Sequence, residues 1–373
     1  MLSVPGMAVP EQKGGRMRSP RSLHSWARRL LPDQSSSSHA ALVRILRALL
    51  VGFSTDRCQL ARQLPGPTAA KGGRQFLSRW LARPHWETDR LYARLLSDLE
   101  PYVRGADPIP VLIDHTYLKR QWSVLQVSIP WQGRALPIYR LVCHHTAPEL
   151  DLARQLQTML TFLGTHLPGS RRRYVLVMDR GFPSNPWIRT LTEGGWRFVI
   201  RVSGKWRMTH PEYTGKLAEA SLPEGEIGEA RRFGGAILGD KKKGRARWSQ
   251  ADVVRYAGEG HQEVWYLLTT EEAPASVAIY RERMKIEGEF RDLKGPWGLD
   301  ELANWHEVEE VSRFLALVAV YEWRLAYLWE RHQLEHWRAR LEVKGRLSWI
   351  RTTREWIRIQ LIQRASRAAP ACL

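Results

Sequence analysis

Two short apolar runs that each end in an aspartate constrain this chain most. The first is Val111-Leu112-Ile113-Asp114, followed by His115 and Thr116. The second is Tyr174-Val175-Leu176-Val177-Met178-Asp179, followed by Arg180, Gly181 and Phe182. Such short unbroken runs suit strands covered on both faces better than helices, which need longer segments. An aspartate at the end of a buried strand is carried to the rim of the core. Singly, such a carboxylate commonly caps a turn or is simply exposed.

The pattern around these runs reads as a mixed α/β order. Gln121–Ile129 and Ala135–Cys143 alternate like strands, joined around Gln132-Gly133-Arg134 as a hairpin. A helix is expected over about 149–163, a strand over Tyr174–Met178, a short helix over Asn185–Leu191 and a strand over Trp196–Val202. Residues 206–270, rich in Gly and charge, read as a β-rich insertion of short strands. They hold a basic loop, Lys241-Lys242-Lys243-Gly244-Arg245, and end in the apolar strand from Val264 through Trp265 to Thr270.

Upstream, residues 1–40 are rich in Pro, Ser, Gly and Arg and read as a disordered basic arm. Residues 41–104 read as helices, with Arg79, Arg83 and Arg90 among them, and are expected to form a helical DNA-binding domain; a helical cap on the core is the plainer alternative. Downstream, 307–331 and 336–365 read as long amphipathic helices. The first is apolar enough to close the core; the second is strongly basic and lies in a C-terminal region from 331 to 373.

Composition narrows the partners. Net charge is +19, from 57 Lys and Arg against 38 Asp and Glu. That surplus points to a polyanion, and to nucleic acid rather than a membrane, since no apolar run is long enough to span a bilayer. The three cysteines, Cys58, Cys143 and Cys372, are scattered, which fits a reducing cytosol and no disulfide framework. Cys143-His144-His145 does not make a zinc site, because adjacent strand residues point to opposite faces.

The segment Tyr280–Lys294 has the form Y-x2-R-x3-E-x6-K. On one continuous helix, steps of 3, 7 and 14 residues from Tyr280 fall at about 300°, 340° and 320°. Tyr280, Arg283, Glu287 and Lys294 would then share a narrow face, joining phosphate-binding groups to a carboxylate. Glu282, Glu289 and Asp292 fall off that face. An intrahelical Arg283–Glu287 pair at i, i+4 is the alternative use of those two charges.

This motif, with the two aspartate motifs before it in the order Asp, Asp, Glu, resembles the signature of the insertion-sequence-four family of bacterial DDE transposases. The D-R-G-F form at Asp179–Phe182 is frequent there. The resemblance covers roughly residues 105 to 325. It implies a ribonuclease-H-like core, from 105 to 205 and from 271 to 330, in which the first and fourth strands are neighbours and Asp114 meets Asp179. It implies a DNA transposase that binds terminal inverted repeats, cuts at the element ends and transfers strands to target DNA. Family members work as dimers, which implies a homodimer on DNA, and a cytoplasmic, nucleoid-associated protein. The alternatives are a related nuclease without strand transfer and a catalytically dead DNA-binding derivative.

The chemistry of that function needs two divalent ions about 4 Å apart, one activating the attacking oxygen and one stabilising the leaving oxygen. Mg²⁺, for which Mn²⁺ can substitute, prefers carboxylate and water oxygens. Asp114 is expected to bridge both ions, with Asp179 on one and Glu287 on the other. Tyr280, Arg283 and Lys294 are expected to hold the backbone of the element end. Thr116, on the same strand face as Asp114, joins them as a DNA contact, as do Arg180 and Lys241, Lys242 and Lys243. Of the 17 tryptophans, Trp265 stands at the place where the family has a base-stacking ring; a core tryptophan on an apolar strand is the alternative.

Overall fold

A computed structural model describes residues 22–52, 54–64, 70–83, 87–119, 121–145, 152–220, 230–240, 247–258, 263–295, 297–341 and 348–368. Six helices come first: α1 (Leu23–Leu30), α2 (Ser36–Gly52), α3 (Arg57–Gln63), α4 (Ala70–Leu81), α5 (Thr88–Leu96) and α6 (Glu100–Val103). Strands β1 (Ile109–Leu118), β2 (Trp122–Trp131) and β3 (Arg134–His144) follow, then α7 (Leu152–His166), β4 (Tyr174–Met178), α8 (Asn185–Glu193) and β5 (Arg197–Val202). Next are β6 (Arg207–His210), β7 (Tyr213–Lys216), β8 (Ala230–Asp240), β9 (Arg247–Tyr256) and β10 (Trp265–Thr269). The chain ends in α9 (Ala273–Arg281), α10 (Met284–Lys294), α11 (Val308–Arg331), α12 (Leu334–Leu341) and α13 (Trp349–Ala368).

All ten strands form one sheet in the order β3-β2-β1-β4-β5-β10-β9-β8-β6-β7. β1, β4 and β5 are parallel, and the other pairs are antiparallel. The β2–β3 hairpin turns on Gln132 and Gly133, both at positive φ (47° and 76°). That is the two-residue turn whose twist matches the flanking strands, and Gly133 supplies its second position without strain. The strands after residue 206 do not stand apart. β10 pairs with β5, and β8 and β9 run 11 and 10 residues. Of the strands expected to be short, β6, β7 and β10 are so, at 4, 4 and 5 residues, while β8 and β9 are long, and all of them extend the central sheet. The expected basic loop, Lys241, Lys242 and Lys243, lies outside the described residues.

Strand alternation sorts the core into two layers. Ile113 and Met178 belong to the large core cluster that also takes in α7, α8 and α11, and the Trp187 indole of α8 donates to Met178 Sδ at 3.4 Å, whereas Leu112, Val175, Val177 and Val199 join a second cluster with Val277, Tyr280, Ile286 and Phe290 of α9 and α10. Residues two apart share a face. Asp114 therefore follows Leu112, and Asp179 follows Val177, onto the side covered by α9 and α10. Helix α11 is buried almost all round from Val311 to Trp329, as a helix running through a core must be.

Two helical expectations change. Residues 23–40 are not a disordered arm, because α1 and the start of α2 lie there; residues 1–21 lie outside the described residues. The polar composition conceals Trp26, Ala27 and Leu30 at helical spacing, all buried. Ser22 and Ser25 form a reciprocal cap, and Arg29 donates to Asp98 at the end of α5. The basic helix expected over 336–365 is two helices, α12 and α13, with 342–347 outside the described residues.

Candidate active site

Parallel pairing of β1 with β4 aligns Ile113 with Met178. The next residue on each strand is an aspartate, so Asp114 and Asp179 stand side by side. The third carboxylate comes from α10, though not from one continuous helix. The chain between α9 and α10 tightens through i, i+3 bonds, Arg283 N–H to the Tyr280 carbonyl at 3.0 Å and Ile286 N–H to the Arg283 carbonyl at 3.1 Å. This offset at 282–283 lets Tyr280 face Asp179 while Glu287 faces Asp114. The single helical face expected from spacing is thus replaced by two helices that meet at the site.

Arg283 stands at the centre. Its guanidinium lies 3.1 Å from Asp114 Oδ2 and 3.8 Å from Asp179 Oδ2, and it also pairs with Glu287. The Tyr280 hydroxyl donates to Asp179 Oδ1 at 2.9 Å, and the His115 backbone N–H donates to Asp114 Oδ1 at 2.8 Å. The side chains of Asp114, Asp179 and Glu287 are 17, 27 and 36% exposed, so the carboxylates face an opening. Three carboxylates from distant parts of the chain converge on one cation.

Residues 114–320 match the Transposase DDE domain family, and the match begins on Asp114. The chain belongs to the DDE transposase family. Among solved structures, it is similar to a piggyBac transposase synaptic complex with hairpin DNA at 12% identity and a TM-score of 0.40, covering 91% of this chain and 74% of that one. No curated protein matches it.

Electrostatics in the transposase separate the two aspartates. Burial pushes Asp114 up to about 6, against the pull of Arg283. Burial acts on Asp179 the same way, but Arg283, the Arg180 backbone N–H, Tyr280 and Arg201 outweigh it and hold its carboxyl below the usual range. Arg201 was not singled out from the sequence. It is 13% exposed on β5 beside the Tyr280 hydroxyl, and its outer contact is Glu263 at 2.8 Å. The available signal was a charged residue inside the apolar strand Arg197-Phe-Val-Ile-Arg201-Val.

The expected DNA contacts fare unevenly. Arg283 is 8% exposed and bound to carboxylates, so it is not presented as a phosphate clamp. Lys294 donates to the Tyr117 carbonyl at 2.8 Å, tying the end of α10 to β1. Thr116 is 5% exposed; the neighbouring Tyr117 is the exposed ring, at 48%. Arg180 is exposed and pairs with Glu263 at 3.0 Å. Trp265 is half-buried, its ring edge-on to Tyr280 at 5.0 Å and tilted to Tyr256 at 5.6 Å. It borders the site through the same tyrosine that orients Asp179.

A second charged group sets the rotation of α10. Arg140 on β3 donates to Gln126 at 2.6 Å, to the Leu315 carbonyl at 3.2 Å, to Glu289 at 3.1 Å and to Glu322 at 2.8 Å. Glu289 also accepts from Gln126 at 2.8 Å. Burial, then the adjacent Glu322, pushes Glu289 well above the usual carboxylate range, and burial raises Glu322 too. Farther along α10, Asp292 pairs with Arg134 of β3 at 3.0 Å and Arg351 of α13 at 3.1 Å. With Glu289 and Asp292 anchored inward, Glu287 is turned toward the aspartates.

Proposed function

We propose that this chain is a DNA transposase that binds the inverted repeats at its element's ends, cuts DNA there and joins the freed 3′ ends to target DNA. The observation that carries this reading is the convergence of Asp114, Asp179 and Glu287 on the Arg283 guanidinium. The strand order β3-β2-β1-β4-β5, with β1, β4 and β5 parallel, supports a ribonuclease-H-like core. The Y-x2-R-x3-E-x6-K pattern from Tyr280 to Lys294 supports membership of the insertion-sequence-four group. The functional form is a homodimer on double-stranded DNA, at the nucleoid in the cytoplasm.

A divalent metal goes with this family, and the donor set fits one. It is made only of carboxylate oxygens, the hard ligands that Mg²⁺ and Mn²⁺ prefer, and it already gathers around a cation. Among the described residues no group of three such side chains stands close enough to hold an ion directly, and Arg283 lies among the three. Asp114, Asp179 and Glu287 would together hold the Mg²⁺ ions. When bound, the ions activate the attacking oxygen and stabilise the leaving one.

The protein's own groups prepare that site. Arg283 offsets the repulsion of three carboxylates and keeps Asp179 ionised. Tyr280 fixes the orientation of Asp179 by its hydrogen bond. Trp265 beside Tyr280 offers a ring for a base lifted from the duplex, a contact worth about 1–3 kcal/mol.

The test uses labelled element-end DNA, a target plasmid and Mg²⁺. The parent protein should nick the end and join it to the plasmid, and Asp179→Asn should do neither while still binding. A parent that nicks but never joins a supplied 3′-OH end is a nuclease without strand transfer. One that binds but cuts with neither Mg²⁺ nor Mn²⁺ is a DNA-binding derivative.

A further inference from the structure

A cleft of about 1060 Å³ opens between the α2–α3 region, the turn after α10 and helix α13. A second, of about 580 Å³, lies against α4 and shares Asp56 and Cys58 with the first. The two therefore run together as one trough. Eight arginines and lysines line it against two carboxylates, Asp56 and Glu355. Neither carboxylate balances this excess. Asp56 accepts from the Gln59 backbone N–H at 2.6 Å as the cap of α3, and Glu355 sits 3.4 Å from Arg358.

Arg62, Lys71 and Arg79 are exposed on the trough, with no acidic partner among the described residues. Arg354 is half-buried, its guanidinium 5.3 Å from the centre of the Trp297 ring. Burial and the neighbouring Arg351 hold its pKa below the usual arginine value. The floor is fixed, because the Thr55 N–H and hydroxyl both donate to the Trp297 carbonyl at 2.8 Å. The indole N–H of Trp297, buried beside the trough, has no hydrogen-bond partner. Arg351 and Arg358 are paired, with Asp292 and Glu355, but cations that outnumber the carboxylates on a rigid concave surface are a site for an extended polyanion.

Position identifies which polyanion. Gly295 lines the trough and directly follows Lys294, the last residue of the helix that carries Glu287. The seven residues from Glu287 to Lys294 span about 10 Å of helix, which is roughly three nucleotides along one strand. We infer that this trough binds the phosphate backbone of duplex DNA flanking the cleavage position and leads one strand toward Asp114, Asp179 and Glu287. The inference rests on the transposase reading and names a DNA-binding surface for it. That surface is composite: α3 and α4 supply one wall and α13 the other.

The experiment measures binding of a random duplex to the full chain without metal, by fluorescence anisotropy over a range of salt. Arg62→Glu, Lys71→Glu and Arg79→Glu are combined in one variant. A control carries three reversals at exposed positions away from the trough, Arg154→Glu, Arg172→Glu and Lys205→Glu, giving the same net charge. Melting temperatures verify that both variants fold. The trough variant should bind at least tenfold more weakly at moderate salt, and its salt slope should shrink by about two to three, near 0.9 per lost phosphate contact. The control should stay within about threefold of the parent at the same salt. Equal weakening of both variants, or of neither, overturns the trough. So does a parent that prefers single-stranded RNA to duplex DNA. A parent that neither nicks nor joins DNA, with the trough variant still selectively weakened, would sink the transposase reading and leave the binding site standing.

Discussion

Helix α10 carries two acidic clusters two residues apart, built from the same parts and put to opposite uses. Around Arg283 three carboxylates gather, each 17 to 36% exposed. Around Arg140 two carboxylates gather, with all three side chains at most 1% exposed. Arg140 is saturated, since its Nε, Nη1 and Nη2 all donate. Arg283 leaves its Nε without a partner. A closed cluster locks a helix in place, because breaking it strands a charge in the core, even with Glu322 Oε1 left without a hydrogen bond. An open one with spare carboxylate oxygens can exchange its cation. The chemistry of the residues is shared, and access separates the two roles.

The largest effect should come from the open cluster. Asp179→Asn and Glu287→Gln should each lower end cleavage roughly ten-thousandfold, about 5 kcal/mol of barrier. Their melting temperatures should stay near the parent's, since both side chains are partly exposed. Cleavage kinetics beside thermal melts would break the comparison if either variant cut DNA near the parent rate, or melted far below the parent.

The closed cluster should behave the other way. Glu322→Leu leaves Arg140 with one fewer carboxylate and should destabilise the fold by about 3–5 kcal/mol, as expected for one member of a buried ion cluster. Urea unfolding at neutral pH measures it. A loss below 1 kcal/mol would mean that the cluster does not lock α10.

Acidity offers a finer probe. Asp114 titrates near 6 in the folded chain against 3.8 when unperturbed. Between those values the unfolded chain has released this proton and the folded chain still holds it. The Asp114 contribution to stability therefore falls as pH rises from about 4 to about 6, by about 3 kcal/mol in the metal-free protein. Asp114→Asn should remove that part of the slope, so the stability difference between variant and parent should shift in the variant's favour over this window. A difference that stays constant from pH 4 to pH 6.5 would contradict the burial of Asp114.

The smallest effect is expected at Trp265. Its half-buried ring edges Tyr280. Trp265→Ala should slow steps that need an unstacked base by about 1–3 kcal/mol and leave first-strand nicking nearly intact. Equal loss of both steps with a large drop in melting temperature would assign the ring to the core instead.

Much of the central sheet was legible because its signals are local. The apolar runs at Val111–Ile113 and Tyr174–Met178, and the Gln132-Gly133 turn, each announce themselves within a few residues. Helix α1 was hidden because its three buried residues sit among Ser, His and Arg, so composition outweighs period. The offset at Glu282–Arg283 had no signal, since neither Pro nor Gly stands there to mark it. Thr116 shares a face with Asp114 as alternation requires, but alternation says nothing of what covers that face.

The sequence by itself determined which residues could do chemistry: two aspartates at strand ends, a glutamate four residues after an arginine, and a strong basic excess. Those are properties of residue type and short spacing. Tertiary structure decided what each residue meets. Parallel pairing of β1 with β4 set the aspartates side by side, and the buried Arg140 cluster turned Glu287 toward them. Arg283 became the hub of a carboxylate site because two of its partners, Asp114 and Asp179, lie more than a hundred residues away in the chain and meet it only in the fold. Strand register and helix rotation arise from packing between distant segments, and no local pattern encodes the contact that results.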